Sequence, residues 1–292
     1  MIHDVIPEQV VTRAIAHLSG RGRQNAVYAL RRWVAWCDNA RTHILDADRT
    51  LAEAYIRYLR EHRKLADNTI RAEVTHILRL YKWAHQEALI RSNPMIYVRT
   101  PRAPARSTRP WLAREQVQAM LAAARESLPA VDALAHLLVL NGPRVSEVVR
   151  IDLADLGTHG DLMTVRLPLR KNGATDTISV APETRRAIDR AREGRTTGPL
   201  LRNPRFGNRM STAMARQHIA GVTRAAGIER HITPHDLRAT FITLSREAGV
   251  PDRDLAASSG HHSAKMLEYY DRSVGSIERN ATHRLSQWLE AP

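Results

Sequence analysis

Thiol chemistry is nearly absent from this chain, because Cys37 is the only cysteine among 292 residues. It cannot close an internal disulfide, which fits a reducing compartment and removes every cysteine-rich zinc site. Long apolar runs are missing too. No stretch approaches the ~18 consecutive apolar residues of a membrane-spanning helix, and Met1–Gly20 lacks the basic-then-apolar order of a signal peptide. A cytoplasmic protein with no membrane partner is expected. Lysine is scarce: of 44 Lys+Arg only Lys64, Lys82, Lys171 and Lys265 are lysine, leaving 40 arginines.

What is present is a sizeable apolar fraction, 43%, and a net charge of +14. The first allows real cores and excludes disorder, and the length suggests roughly two domains of about 100–200 residues each. The second points to a polyanion, since arginine offers a planar, always-charged fork that bonds two phosphate oxygens at once. Nucleic acid ranks ahead of a membrane surface, because no long basic amphipathic segment stands out. A GC-rich genome also raises arginine content, so charge alone does not decide.

Helical periodicity dominates the first hundred residues. Val27, Leu30, Val34 and Cys37 fall at steps of three and four, as do Leu51, Tyr55 and Leu59, and then Ile70, Val74, Ile77, Leu78 and Tyr81. Asp67 or Asn68 is the expected cap of the third helix and Asn93-Pro94 its expected end. Between Arg99 and Pro110 lie three prolines, four arginines and no large apolar residue, which reads as an extended basic linker. Up to residue 105 there are 17 basic and 10 acidic residues, and after it 27 and 20, so each part carries +7 and two basic lobes closing on one polyanion are expected. Helical patterns resume at 114–126 and 131–140. Short β-prone runs at 162–169 and 175–180 then flank Lys171-Asn172-Gly173, a hairpin turn signal. Helices follow at 182–193, 211–226, 234–248, 252–258 and 276–289.

Three places carry candidate chemistry. The segment Gly142-Pro143-Arg144-Val-Ser-Glu147 opens a short helix and is expected to put Arg144 in its first turn, where backbone N–H groups also favour an anion, with Glu147 on the same face. Thr233-Pro234-His235-Asp236-Leu237-Arg238 is a second helix start, with Thr as N-cap and Pro at the first position. Its His235 and Arg238, three apart, should face the same way and cradle a phosphodiester. Ser259-Gly260-His261-His262 precedes Tyr269-Tyr270. A metal reading on His235, His261, His262 and Asp236 is disfavoured, because no short-range pair shows zinc-site spacing.

Arg144, then Lys171 in a hairpin, then the His235-x-x-Arg238 box, then Gly260-His261, then a tyrosine nine residues on: this order and spacing resemble the tyrosine recombinase (phage integrase) family. The resemblance runs over nearly the whole chain and is closest to the compact Xer-like or simple-integrase architecture without an arm-binding domain. It implies a mainly α fold: an all-α, SAM-like core-binding domain at 1–98, the basic linker at 99–110, and an α+β catalytic domain at 111–292 that is mostly helical with a small β-hairpin or sheet and ends in a tail helix. It also implies a site-specific DNA recombinase that cuts and rejoins duplex DNA through a 3′-phosphotyrosyl intermediate and a Holliday junction.

In that resemblance Tyr270 matches the nucleophile and Tyr269 does not. Arg144 and Arg238 match the arginines on the non-bridging oxygens. Lys171 matches the lysine that protonates the leaving oxygen, a task arginine cannot perform because it does not release its proton. His235 matches the conserved residue of the His-x-x-Arg box, His261 matches the later position that bonds the phosphate and supports the tyrosine, and Glu147 matches a supporting acidic residue. No cofactor and no metal are implied. The implied partners are double-stranded DNA with inverted half-sites and further copies of the chain, as a dimer on a core site and a tetramer in the synapse, nucleoid-associated when on DNA. Integration or excision of a phage or mobile element, Xer-like dimer resolution and inversion remain open, as does a catalytically inactive DNA-binding protein. The helix at 276–289 is expected to dock on a neighbour or on its own domain. Binding to duplex DNA should weaken steeply with salt, with a log–log slope of about −0.9 per phosphate neutralised; a flat salt series in fluorescence anisotropy would remove the polyanion reading.

Overall fold

In the computed structural model, which describes residues 6–102, 110–168 and 176–259, the apolar stripes of the N-terminal third fold as helices. They are α1 (Pro7–Ala14), α2 (Gly20–Asn39), α3 (Arg49–Glu61) and α4 (Asp67–Gln86). The chain divides into two units, 1–104 and 105–292, each around its own core. Helix α1 is not legible in the sequence, since eight residues present only Val10, Val11 and Ala14 to the core, too short a stripe to establish a period.

Three aromatic side chains fix this first core. Trp33 of α2, Tyr55 of α3 and Tyr81 of α4 are fully buried, with the Trp33 and Tyr55 rings 5.3 Å apart. Trp33 Nε1–H donates to the Tyr81 hydroxyl (3.0 Å), which donates to the Ile44 carbonyl. The buried Glu73 carboxylate accepts from Arg32 Nε (2.9 Å) and Nη2 (2.6 Å) and from the Tyr55 hydroxyl (2.5 Å), so its burial leaves both oxygens satisfied. Cys37 is buried on the same face of α2.

Two boundaries differ from expectation. Ala66, not Asp67 or Asn68, is the N-cap of α4; Asp67 is its first helical residue, where it pairs with Arg60 (3.0 Å) and complements the helix dipole. The helix stops at Gln86 rather than at Asn93-Pro94, because Ala88 turns left-handed at φ +55°. Asn93 instead accepts from the Met95 N–H (2.9 Å), a side-chain turn spanning the proline.

The second unit is built on α6 (Pro129–Asn141), which is buried on every side from Val131 to Val139. Around it pack α5 (Arg114–Arg125), α8 (Pro182–Arg192), α9 (Thr212–Ala225) and α10 (Pro234–Glu247). The short α7 (Val145–Val148) and a 3₁₀ turn (Leu153–Asp155) follow α6, and α11 (Asp252–Ser259) packs on α10. Even the carboxylate inside α6 is paired: burial works to raise the pKa of Asp132, but hydrogen bonds from His136 and Arg190 prevail and hold it below the ordinary carboxylate value.

The architecture is thus mainly α with one small sheet, antiparallel in the order β1 (Leu156–His159), β2 (Leu162–Leu167), β3 (Asp176–Ser179). Val165 faces Leu156 on one side and Ile178 on the other. Met163, Val165 and Leu167 bury the inner face of β2 with period two, the signal that marked it in the sequence. Strand β1 has no such alternation, being exposed at Gly157, Thr158 and His159, so the expected hairpin is a three-stranded sheet. The linker residues 103–109, the Lys171 turn and the expected helix at 276–289 lie outside the described residues.

Burial, followed by the bond to Glu73, raises the Tyr55 hydroxyl pKa above the ordinary tyrosine value, and burial raises that of Tyr81. Both should stay protonated when exposed tyrosines ionise near pH ~10. The unfolded chain releases these protons first, so their stabilisation is fully present below about pH 10 and is lost as pH rises toward the higher folded values. A phenolate absorbance titration should show two tyrosines that ionise only with unfolding; a single step for all of them contradicts this core.

Candidate active site

The site grows from the way α6 ends. Gly142 caps the helix in the left-handed conformation (φ +64°), and its α-carbon lies against the ring of Phe241 on α10: a Cβ there would stand 2.8 Å from Phe241 Cγ and closer still to Cδ1. Only glycine meets both demands. The buried carbonyl of Gly142 then accepts from Nη1 of Arg238, a buried residue of α10. Helix α6 is also tied to the sheet, because Asn141 Nδ2 donates to the Ser179 carbonyl of β3 (2.9 Å).

Pro143 leads from this junction to Arg144. The arginine is the N-cap of α7 and not, as expected, a first-turn residue, and α7 is only four residues long. A helix so short, whose capping N–H is already taken, supplies no anion site of its own. That N–H donates to Glu147 Oε2 (2.7 Å), while Arg144 Nη1 donates to Glu147 Oε1 (2.7 Å). Glu147 is buried, at 3% exposure, and both its oxygens hold Arg144; the Arg144 side chain stays 37% exposed. Among the described residues the Arg144 guanidinium contacts only Glu147, so its remaining N–H groups can meet an anion.

The second helix start folds as its residue types dictate. Thr233 is the N-cap of α10 and Pro234 the first helical residue. Asp236 Oδ2 accepts from the Thr233 N–H (2.9 Å) and hydroxyl (2.6 Å), so this carboxylate is engaged as a cap rather than free for a metal. One turn on, the Thr240 hydroxyl donates to the Asp236 carbonyl and accepts from the Leu112 N–H, both at 2.9 Å, tying the start of the unit to α10. His235 and Arg238 differ in depth: His235 is exposed, Arg238 only 2% exposed.

The junction therefore sets Arg238 of α10 against the Gly142 carbonyl, two residues before the Glu147-held Arg144, while His235 lies three residues before Arg238 on α10. Lys171, His261 and Tyr270 lie outside the described residues, as do His262 and Tyr269. By sequence, Lys171 follows the end of β2 by four residues and His261 follows α11 by two. Sequence reasoning missed the Gly142 carbonyl and the Phe241 ring; the Asn-Gly-Pro helix stop was the available signal for the first, and nothing local marked the second.

Guanidinium groups held beside one loop are the kind of chemistry that can bind a tetrahedral anion and offset charge growing on it. Residues 110–275 match the phage integrase family. A tyrosine recombinase XerD of Mycobacterium tuberculosis is 30% identical over 207 residues, which is 65% of this chain and 65% of that protein, just under two thirds of each. A XerD of Listeria monocytogenes is 26% identical over 264 residues, 82% of this chain and 84% of the relative. In fold the chain is similar to the Tn1549 transposon integrase in complex with transposon right-end DNA (TM-score 0.76, 18% identity, 95% of this chain and 98% of that one). It is also similar to a lambda integrase tetramer bound to a Holliday junction (TM-score 0.75, 16% identity, 93% and 78%).

Gly142→Ala should cost about 1–2 kcal/mol from the left-handed backbone alone, and more where the Phe241 ring fails to yield. In a thermal-unfolding double-mutant cycle, Phe241→Ala should recover only the steric part. Full recovery would show that the backbone conformation is not required.

Proposed function

The chain belongs to the phage integrase family, and from that premise we propose that it is a tyrosine-type site-specific DNA recombinase, one that breaks and rejoins duplex DNA with no cofactor. The observation that supports this best is the junction at Gly142, where a buried Arg238 and a Glu147-clamped Arg144 meet beside one loop.

The phenol oxygen of Tyr270 attacks the scissile phosphorus, and the bond from phosphorus to the 5′-oxygen breaks. Arg144 and Arg238 hold the non-bridging oxygens and stabilise the added charge of the five-coordinate transition state. Glu147 positions Arg144 by gripping its N–H and its guanidinium together. The phenolic proton leaves to His235, the leaving 5′-oxygen takes a proton from Lys171, and His261 bonds the phosphate beside the nucleophile. The phosphotyrosyl bond conserves the energy of the phosphodiester, so ligation needs no ATP.

The substrate is duplex DNA with inverted half-sites, bound by a dimer and exchanged in a tetramer, an arrangement supported by the lambda integrase tetramer of similar fold. Base contacts come from the N-terminal helices and from arginines of the segment 202–216 other than Arg209. The biological setting we favour is integration or excision of a mobile element. The similarity to XerC and XerD proteins supports dimer resolution as the second reading.

The test uses the core site located by footprinting DNA around the gene, made as a duplex nicked close to the cleavage position so that the covalent complex is trapped. The native protein should form the adduct with EDTA present. Tyr270→Phe should abolish it and Tyr269→Phe should not, with DNA affinity kept in both. Arg144→Ala and Arg238→Ala should slow cleavage by about 10²–10³-fold while changing affinity far less. An adduct formed by Tyr270→Phe would falsify the nucleophile assignment.

A further inference from the structure

An arginine far along the chain holds the end of the helix that carries Arg144. From the loop before α9, Arg209 Nη1 donates to the carbonyls of Val149 (3.0 Å) and Ile151 (3.4 Å), and Nη2 donates to Asp152 Oδ1 (2.7 Å). The loop that presents Arg209 is itself anchored to the same segment: the Leu200 N–H donates to the Ile151 carbonyl (3.0 Å) and the Leu153 N–H to the Gly198 carbonyl (2.9 Å). Arg195 stiffens this loop from behind, donating to the carbonyls of Ala191 and Pro199, both at 2.7 Å, and of Leu200 at 3.2 Å.

Asp152 passes the connection onward. Its N–H donates to Asp155 Oδ2 (2.9 Å), and Asp155 Oδ1 accepts from Arg166 on β2, from Nε at 2.9 Å and Nη2 at 2.6 Å. A continuous chain of polar contacts thus runs from the end of α7, through Arg209, Asp152 and Asp155, to β2, which precedes Lys171 by four residues in sequence. Arg209 and Asp152 are 37% and 42% exposed, and an ion pair so open to solvent adds little stability. The effect of the chain is geometric rather than energetic. Arg209 meets three acceptors with one planar fork, which a lysine ammonium cannot span.

We propose that Arg209 and Asp155 are positioning residues for strand cleavage. Arg209 sets where α7 holds Arg144, and Asp155 ties β2, the strand that Lys171 follows by four residues in sequence, to the segment after α7. The inference rests on the recombinase reading. It assigns the two residues to different partners, Arg209 to transition-state charge and Asp155 to protonation of the leaving oxygen.

Single-turnover cleavage and anisotropy binding are measured on the nicked core-site duplex for Arg209→Met, Arg209→Lys and Asp155→Asn, with melting midpoints as the check on folding. Displacement of a reacting group by about 1 Å costs on the order of 10²-fold, so all three should slow cleavage by about 10–100-fold while affinity changes less than about threefold, roughly 0.6 kcal/mol. A second duplex carries sulfur in place of the bridging 5′-oxygen; a thiolate leaves without a proton donor, so this substrate should restore Asp155→Asn and leave both Arg209 variants slow.

Unchanged cleavage in the Arg209 variants overturns the proposal for Arg209, and failure of the sulfur substrate to restore Asp155→Asn overturns it for Asp155. Parallel loss of affinity and rate in Arg209→Met, with both kept in Arg209→Lys, makes Arg209 a phosphate contact instead. If Arg209→Met does not fold, Arg209→Lys decides. Absence of any adduct with the native protein refutes the recombinase reading rather than this one.

Discussion

A helix that is buried on every side has to stop somewhere, and where α6 stops decides the arrangement of the second unit around it. Its last carbonyls lose their helical partners inside a packed core, where an unpaired acceptor is costly. Gly142 solves this by turning left-handed, and Arg238 by donating to the Gly142 carbonyl from α10. The guanidinium is thereby placed by the same bond that closes the helix. Residues 143 and 144 have no freedom to wander after it, since proline fixes one φ angle and Glu147 grips Arg144 at two points.

Charge in this molecule therefore has distinct functions that composition cannot separate. Arg32 neutralises a carboxylate inside a core, Arg190 pairs with Asp132 in the wall of α6, and Arg209 and Arg195 bond backbone carbonyls. None of these belongs to a diffuse basic surface. The scarcity of lysine acquires meaning against that background, because arginine is the better residue for every one of those fixed, forked contacts. Lys171, proposed as the proton donor, is one of only four lysines in the chain.

The fold was readable wherever burial follows a period. The stripes of α2, α3 and α4, the mostly apolar α6 and the alternation in β2 are local statements about which side faces the core. Helix α1 and strand β1 escaped because their buried residues are too few to repeat, and the end of α4 was misplaced because Ala88 breaks the helix without a glycine or proline to announce it. In the site, the residue types of Arg144, Glu147, His235 and Arg238 were legible from motif order. Their depths were not: the contrast between a buried Arg238 and an exposed His235 comes from α10 packing on α6, a long-range fact. The same holds for Phe241 over Gly142, which no neighbouring residue foretells.

Cys37 offers a practical consequence. It has no exposed surface, and burial, ahead of the nearby Asp38 charge, pushes its thiol up to about 12, so at neutral pH it presents neither access nor thiolate to a maleimide. The natural chain therefore already behaves as a cysteine-free background. Pairs of cysteines introduced on the surfaces of the two units accept dyes without any change to the native core, which opens the separation of the units on and off DNA to direct measurement by energy transfer.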